Sequence, residues 1–159
     1  MATNNLESAF EWIIGVLQKN RVRFHVTGGF AAHYCYGSSR KVKDIDIAIS
    51  QEGFWRILPD IRSYLVFGPG RYKDENFDVL MVTLNFRGRE IDIGTRCKIY
   101  DQRQKRWRLA TRGLITRNRR RVFGLRVPVV LKGQLFATKQ ALGRPQDRKD
   151  AKVLSCSSF

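Results

Sequence analysis

Apolar residues recur every three or four positions from residue 5 to 19, through Leu6, Phe10, Ile13 and Leu17. That period predicts an amphipathic helix, and Asn4 with Glu7 three residues on fits a capping box at its start. The period then falls to two. Val22, Phe24 and Val26 alternate with polar neighbours, which predicts a strand over 21–27. Gly28-Gly29 interrupts it, and the short apolar stretch 30–36 reads as a helix ended by Gly37-Ser38-Ser39. Residues 44–50, DIDIAIS, alternate throughout, so Ile45, Ile47 and Ile49 share a buried face and Asp44 and Asp46 share the other. A second helix is predicted over 51–62, through Phe54, Ile57, Leu58 and Ile61, followed by a turn at Gly68-Pro69-Gly70. Strands are predicted over 77–86 and 89–94, joined near Arg87-Gly88. The second of them reads EIDI at 90–93, with Glu90 and Asp92 on one face and Ile91 and Ile93 on the other. Further on, 122–130 predicts a short strand pair around Gly124 and 131–142 a helix, and Pro145 opens another at its first turn.

A length of 159 residues suits one domain with its own core. We take it as 1–154, with 155–159 as a frayed tail; there is no internal repeat. The hydrophobic fraction, 43%, is that of a globular chain. No stretch approaches the roughly 20 apolar residues of a membrane span, so no membrane partner is expected. Residues 1–11 carry Glu7 and Glu11 and no basic opening, so a signal peptide is not expected either. Cys35, Cys97 and Cys156 are scattered, in neither a disulfide framework nor a zinc spacing. That favours a reducing, cytoplasmic setting. His25 and His33 are too isolated for a histidine metal site.

Charge narrows the choice of partner. Thirty Lys and Arg against 14 Asp and Glu leave a net charge of +16, which favours a polyanion. The excess concentrates in Arg103, Lys105, Arg106, Arg108, Arg112, Arg117, Arg119, Arg120 and Arg121, with no acid among residues 103–121. Trp107 sits within that run, read either as packed on the core from a helix or as a stacking surface for a base.

Against this basic background the paired acids stand out. Two carboxylates at i and i+2 of a strand point the same way, repel, and raise each other's pKa unless a cation intervenes. A divalent ion resolves the conflict, since magnesium takes carboxylate and phosphate oxygens together. Asp92 on a later strand supplies a third acid. A strand, Gly-Gly and a helix start in succession also form a phosphate-binding arrangement, because glycine lets a ligand approach the backbone and the helix N-terminus offers free N–H groups.

TGG at 27–29, Arg40, DIDI at 44–47 and Asp92 in EIDI together resemble the signature of the DNA polymerase β-type nucleotidyltransferase superfamily. The later part of the chain is similar to its small single-domain members: a glycine-bearing hairpin at 122–130, Lys139, then GRPQD at 143–147 with Asp150 following. Two positions depart from the pattern, Val42 where a hydroxyl residue is frequent and Lys132 where an acid is. The resemblance runs over about residues 6–154. It implies an α+β nucleotidyltransferase fold, a mixed twisted sheet flanked by helices with a short C-terminal helical segment. It further implies Mg2+ or Mn2+ at Asp44, Asp46 and Asp92, with Asp92 as general base. Gly28, Gly29, Arg40 and Lys139 would sit at the triphosphate of an NTP substrate.

The acceptor is left to charge. The basic run favours RNA, tRNA and a toxin role included, and would make residues 103–121 its nucleic-acid-binding segment. The same chemistry on a small-molecule or protein hydroxyl is the alternative, and a non-catalytic nucleic-acid-binding module is the third reading. No second helical domain follows in the sequence to grip a substrate, so a homo-oligomer or partner chain is expected to complete that surface.

Overall fold

The structure is a computed structural model that describes residues 5–155. The Asn4 cap, Cys156 and most of the expected tail, 156–159, lie outside the described residues. Helix α1, Asn5–Lys19, buries Leu6, Ala9, Phe10, Ile13, Ile14, Val16 and Leu17. Asn20 ends it, its side-chain amide donating to the carbonyl of Val16 at 2.8 Å. Arg21, at φ 53°, turns the chain into strand β1, Phe24–Val26. There follow α2 (Gly28–Tyr34), β2 (Ile45–Ile49), α3 (Gly53–Ile61) with a 3-10 turn Arg62–Tyr64, β3 (Leu65–Lys73), β4 (Phe77–Phe86) and β5 (Arg89–Asp101). The chain closes with β6 (Arg106–Leu109), β7 (Arg119–Val122), β8 (Leu125–Pro128), α4 (Lys132–Leu142) and α5 (Pro145–Leu154).

The main sheet runs β1-β2-β5-β4-β3, with β6 added to the far half of β5. It is mixed: β2 and β5 are parallel, and the other pairs are antiparallel. β7 and β8 form a separate hairpin, tied to the edge of β1 by a parallel bridge between Val26 and Val129. Each inner strand shows one face to the core. Ile45, Ile47, Ile49, Ile91 and Ile93 are buried, while the acids between them are partly exposed. Trp12 of α1 stacks on Phe86 of β4 at 4.5 Å, so α1 covers the isoleucine side of the sheet. On the opposite side α4 packs over β5, where Ile99, Ala141 and Leu142 form a small cluster of their own.

Several expected boundaries move. The strand expected over 21–27 shrinks to three residues, and α2 begins on the two glycines rather than after them. The turn expected at Gly68-Pro69-Gly70 is instead the middle of β3. Proline is tolerated there because β3 is an edge strand and the pairing with β4 is irregular between Phe67 and Gly70, where no ladder N–H is required of it. β5 runs on past Gly94 to Asp101, bent at Arg96, whose φ is 51°. Glycine and proline punctuate isolated chains, but pairing with a neighbouring strand overrides that signal.

Candidate active site

The parallel register of β2 and β5 sets Asp46 opposite Asp92. Neighbouring strands lie about 4.8 Å apart, so the two carboxylates emerge side by side. Asp44 stands one residue before β2 and shares the face of Asp46 by alternation. Glu90, two residues before Asp92, belongs to the same face, within reach of the charges of Asp92 and Asp44. Four acids thus collect on one patch of sheet.

Their titration records the crowding. Burial first, and then the charges of Asp92 and Asp44, push the Asp46 carboxyl up to about 7, although Lys139 and the Phe30 N–H pull the other way. Desolvation, then Asp92 and Asp44, push Glu90 to about 7 as well. Asp92 is raised by desolvation, partly countered by Thr83, whose hydroxyl donates to Asp92 Oδ1 at 2.8 Å. The donor set is therefore all oxygen and short of positive charge, the chemistry of a hard divalent cation. Among the described residues no three acid, histidine or cysteine side chains already converge as a metal-holding group. An open shell still suits magnesium, which keeps several waters and takes the rest of its ligands from substrate phosphates.

Gly28 and Gly29 serve this face in a way the pattern alone does not show. Gly28 has φ 64°, and a Cβ there would meet Asp46 Oδ2 at 2.5 Å. A Cβ on Gly29 would collide with the Arg40 guanidinium. The glycines let the first turn of α2 close over Asp46, which accepts the Phe30 N–H, and let Arg40 lie alongside.

Arg40 and Lys139 are already engaged within the fold. Arg40 grips Asp150 through two contacts, Nη2 to Oδ2 at 2.8 Å and Nε to Oδ1 at 3.3 Å. Lys139, 4% exposed, reaches Asp147 at 3.3 Å and Asp150 at 3.1 Å. Arg144, which caps α5, holds Asp147 at 2.6 Å, and Ser38 donates to Asp150 at 2.7 Å. Asp147 and Asp150, both fully buried, tie α5 to α4, and Asp150 also to the loop after α2. The field of Lys139 nevertheless reaches Asp46, as does that of Arg40.

The basic run does not form one segment. Arg103, Lys105, Arg106 and Arg108 belong to the β5–β6 hairpin, where Arg108 pairs with Asp101 at 3.0 Å. Arg112 and Arg117 lie in the connection that follows, and Arg119, Arg120 and Arg121 form β7 in the second sheet. Arg120 stacks over the ring of Tyr36, and Arg119 and Arg121 donate to carbonyls of their own hairpin. Trp107 is on a strand and not on a helix, edge-on to Tyr100 with Lys73 over its ring.

Two members of the patch, Thr83 and Glu90, escaped the sequence reading as site residues, yet a signal for them exists. Arg87 and Gly88 both have positive φ, as a two-residue hairpin turn requires. Counting back from that turn pairs Thr83 with Asp92 and Asn85 with Glu90, the observed register.

No family model and no curated relative matches the chain in sequence. Solved structures do match in shape. A crystal structure from Thermotoga maritima, described as a candidate nucleotidyltransferase, is 17% identical with a TM-score of 0.70, over 96% of this chain and 93% of that one. The antibiotic-resistance factor ANT(2'')-Ia matches in a solution structure at 10% identity and TM-score 0.61, over 94% and 82% of the two chains. It matches again in a crystal structure with adenylyl-2''-tobramycin, at 10% identity and TM-score 0.60, over 95% and 88%. At such identities the likeness is one of fold, and the chain has the α+β nucleotidyltransferase fold.

Proposed function

We propose that this chain is a nucleotidyltransferase that moves a nucleoside monophosphate from an NTP to a hydroxyl, with RNA as the acceptor. One observation carries the reading: Asp46 and Asp92 face each other across parallel strands, with Asp44 on the same face and the α2 N-terminus closing over them. Asp44, Asp46 and Asp92 would hold Mg2+ or Mn2+. When bound, the ion neutralises charge on the phosphate oxygens and the leaving pyrophosphate.

The residues of the chain do the rest. The acceptor oxygen attacks the α-phosphorus, the bond from that phosphorus to the β-phosphate bridge breaks, and pyrophosphate leaves. The hydroxyl proton passes to Asp92 Oδ2, because Thr83 occupies Oδ1 and holds the carboxylate in place. Gly28 and Gly29 let the start of α2 sit against Asp46 and Arg40, where its free N–H groups would meet the triphosphate. Arg40 and Lys139 act by field from behind the acids, since both are bound to Asp147 and Asp150. The net charge of +16 favours a polyanionic acceptor.

The likeness to ANT(2'')-Ia favours a second reading, the same transfer to a small-molecule hydroxyl. Incubation with each α-labelled NTP, Mg2+ and either total RNA or tobramycin separates the two. We expect label on RNA and its loss in Asp46→Asn. Label on tobramycin alone replaces the acceptor, and no label with any acceptor or NTP overturns the transferase reading.

A further inference from the structure

Helix α5, PQDRKDAKVL, carries charges of both signs that the fold sorts by side. Asp147 and Asp150 turn inward to Lys139, Arg40 and Arg144, while Arg148 and Lys152, one helical turn apart, stay exposed. Next to this outer side lies the β5–β6 turn with Arg103 and Arg106, both exposed. A cavity of about 330 Å³ opens between that turn and α4, lined by Arg103, Arg106 and Arg108. A second, of about 410 Å³, opens between α4 and α5, lined by Arg103, Arg148 and Lys152, with Lys139 at its back. The two share Arg103 and Gln140 and so run into one furrow.

We infer that this furrow between α4, α5 and the β5–β6 turn is where the phosphodiester backbone of the acceptor RNA lies. The inference rests on the RNA reading above and names the surface that does the gripping. Among the described residues the only acid lining either cavity is Asp101, and it is spent: it accepts the Arg103 and Gln104 N–H groups and pairs with Arg108. Arg103, Arg106 and Arg148 enter none of the ion pairs formed among the described residues, so the walls they line are positive, which suits a chain of phosphates. Lys139, at the back of the furrow, is also near enough for its charge to act on Asp46. Among the described residues none of the exposed large apolar side chains, Trp55, Val66, Phe67, Tyr72 and Leu109, lines it. A lipid-docking surface would need such anchors.

The furrow recruits Arg148 and Lys152, far along the chain from the basic run, and leaves out the β7 arginines. Anisotropy of a labelled single-stranded RNA, without NTP or divalent ion, reads binding apart from catalysis. We expect affinity to fall steeply with salt, and Arg103→Glu/Arg148→Glu to weaken it on the order of 10-fold or more at 0.1 M salt, flattening the slope by about two. Arg106→Glu should weaken it less, as one contact. Arg117→Glu/Arg119→Glu/Arg120→Glu should change it by less than about threefold. Circular dichroism and Mg2+-dependent NTP binding, read on the same variants, report folding and the state of the acid face. Intact NTP binding with lost RNA binding supports the furrow. RNA binding lost only in the β7 variant, DNA of equal length bound more tightly than RNA, or anionic vesicles bound through the furrow in place of RNA would each overturn it. Should wild type label no acceptor yet bind RNA through Arg103 and Arg148, the transfer reading fails and the furrow stands.

Discussion

Two clusters of aspartate sit a few side chains apart in this fold and are treated in opposite ways. Asp147 and Asp150, on α5, are fully buried yet satisfied: three cations and a serine hydroxyl surround them. Asp46 on β2, Asp92 on β5 and Asp44 just before β2 share one face with a fourth acid, Glu90. The field of Lys139 only partly offsets the charge on Asp46. In the first cluster burial opposes ionisation, and yet Arg40, Ser38 and Lys139 hold the Asp150 carboxyl below its usual range. In the second, burial and like charge both act upward on Asp46. The same residue type therefore stabilises one place and strains another, and the strained place is where a cation and a triphosphate would be gained.

The largest test of this contrast removes a paired acid. Asp147→Asn or Asp150→Asn leaves buried cations without their carboxylate and should cost roughly 3–5 kcal/mol of stability, read by urea unfolding. A loss below about 1 kcal/mol would make the α5 network incidental.

Removing an unpaired acid should do the reverse. Asp46→Asn is expected to stabilise the chelator-treated protein by roughly 1–3 kcal/mol at pH 8 and to abolish transfer. The folded carboxyl titrates near 7 against 3.8 unfolded. The folded state therefore holds the proton more tightly, and the wild type loses stability as pH rises through that window; the gain should vanish at pH 4. Mg2+ or Mn2+ should stabilise wild type at pH 8 and leave Asp46→Asn unmoved. A variant less stable than wild type at pH 8 would break the comparison.

Gly28 ties the strained cluster to the backbone, against Asp46. Gly28→Ala should cost about 1–2 kcal/mol for its left-handed φ alone. Because its Cβ would meet Asp46 Oδ2, transfer should fall further than stability does. Equal losses in both would reduce the glycine to a turn residue.

The smallest effect concerns His25. It is fully buried, its Nδ1 accepts the Ile115 N–H at 3.3 Å, and its Nε2 has no hydrogen-bond partner among the described residues. Burial holds it down to about 4, against 6.5 unfolded. The unfolded chain takes up that proton first, so stability is lost as pH falls from 6.5 towards 4, opposite in sign to Asp46. The two slopes largely cancel in that range. His25→Leu should change stability at pH 8 by about 1 kcal/mol or less, since the lost orphan donor is offset by a stranded Ile115 N–H. It should unmask the Asp46 slope at pH 4–6.5, and a pH profile unchanged from wild type would refute that assignment.

Much of the acid face was legible from residue order. Alternation in DIDIAIS and EIDI put Asp44, Asp46 and Asp92 on polar faces, and Arg87-Gly88 marked the β4–β5 hairpin. Strand β3 was not legible, because Gly68-Pro69-Gly70 carries the composition of a turn and only pairing with β4 makes it a strand. The partners of Arg40 and Lys139 were hidden for another reason. A cation's sequence neighbours do not tell which distant acid it will meet, and Asp150 is 110 residues from Arg40.

What the sequence determined by itself was local and periodic: which residues of DIDIAIS and EIDI share a face, and that charge is in excess. Those follow from the geometry of a strand or a helix, which each short segment carries within it. Only the tertiary structure decided which faces meet. It set β2 parallel to β5 so that Asp46 came opposite Asp92, and it divided one basic run between two sheets. It also turned the acids of α5 inward against Lys139 while its cations joined those of the β5–β6 turn. Charge acts through space over a few ångströms, so its effect depends on neighbours that chain order does not name.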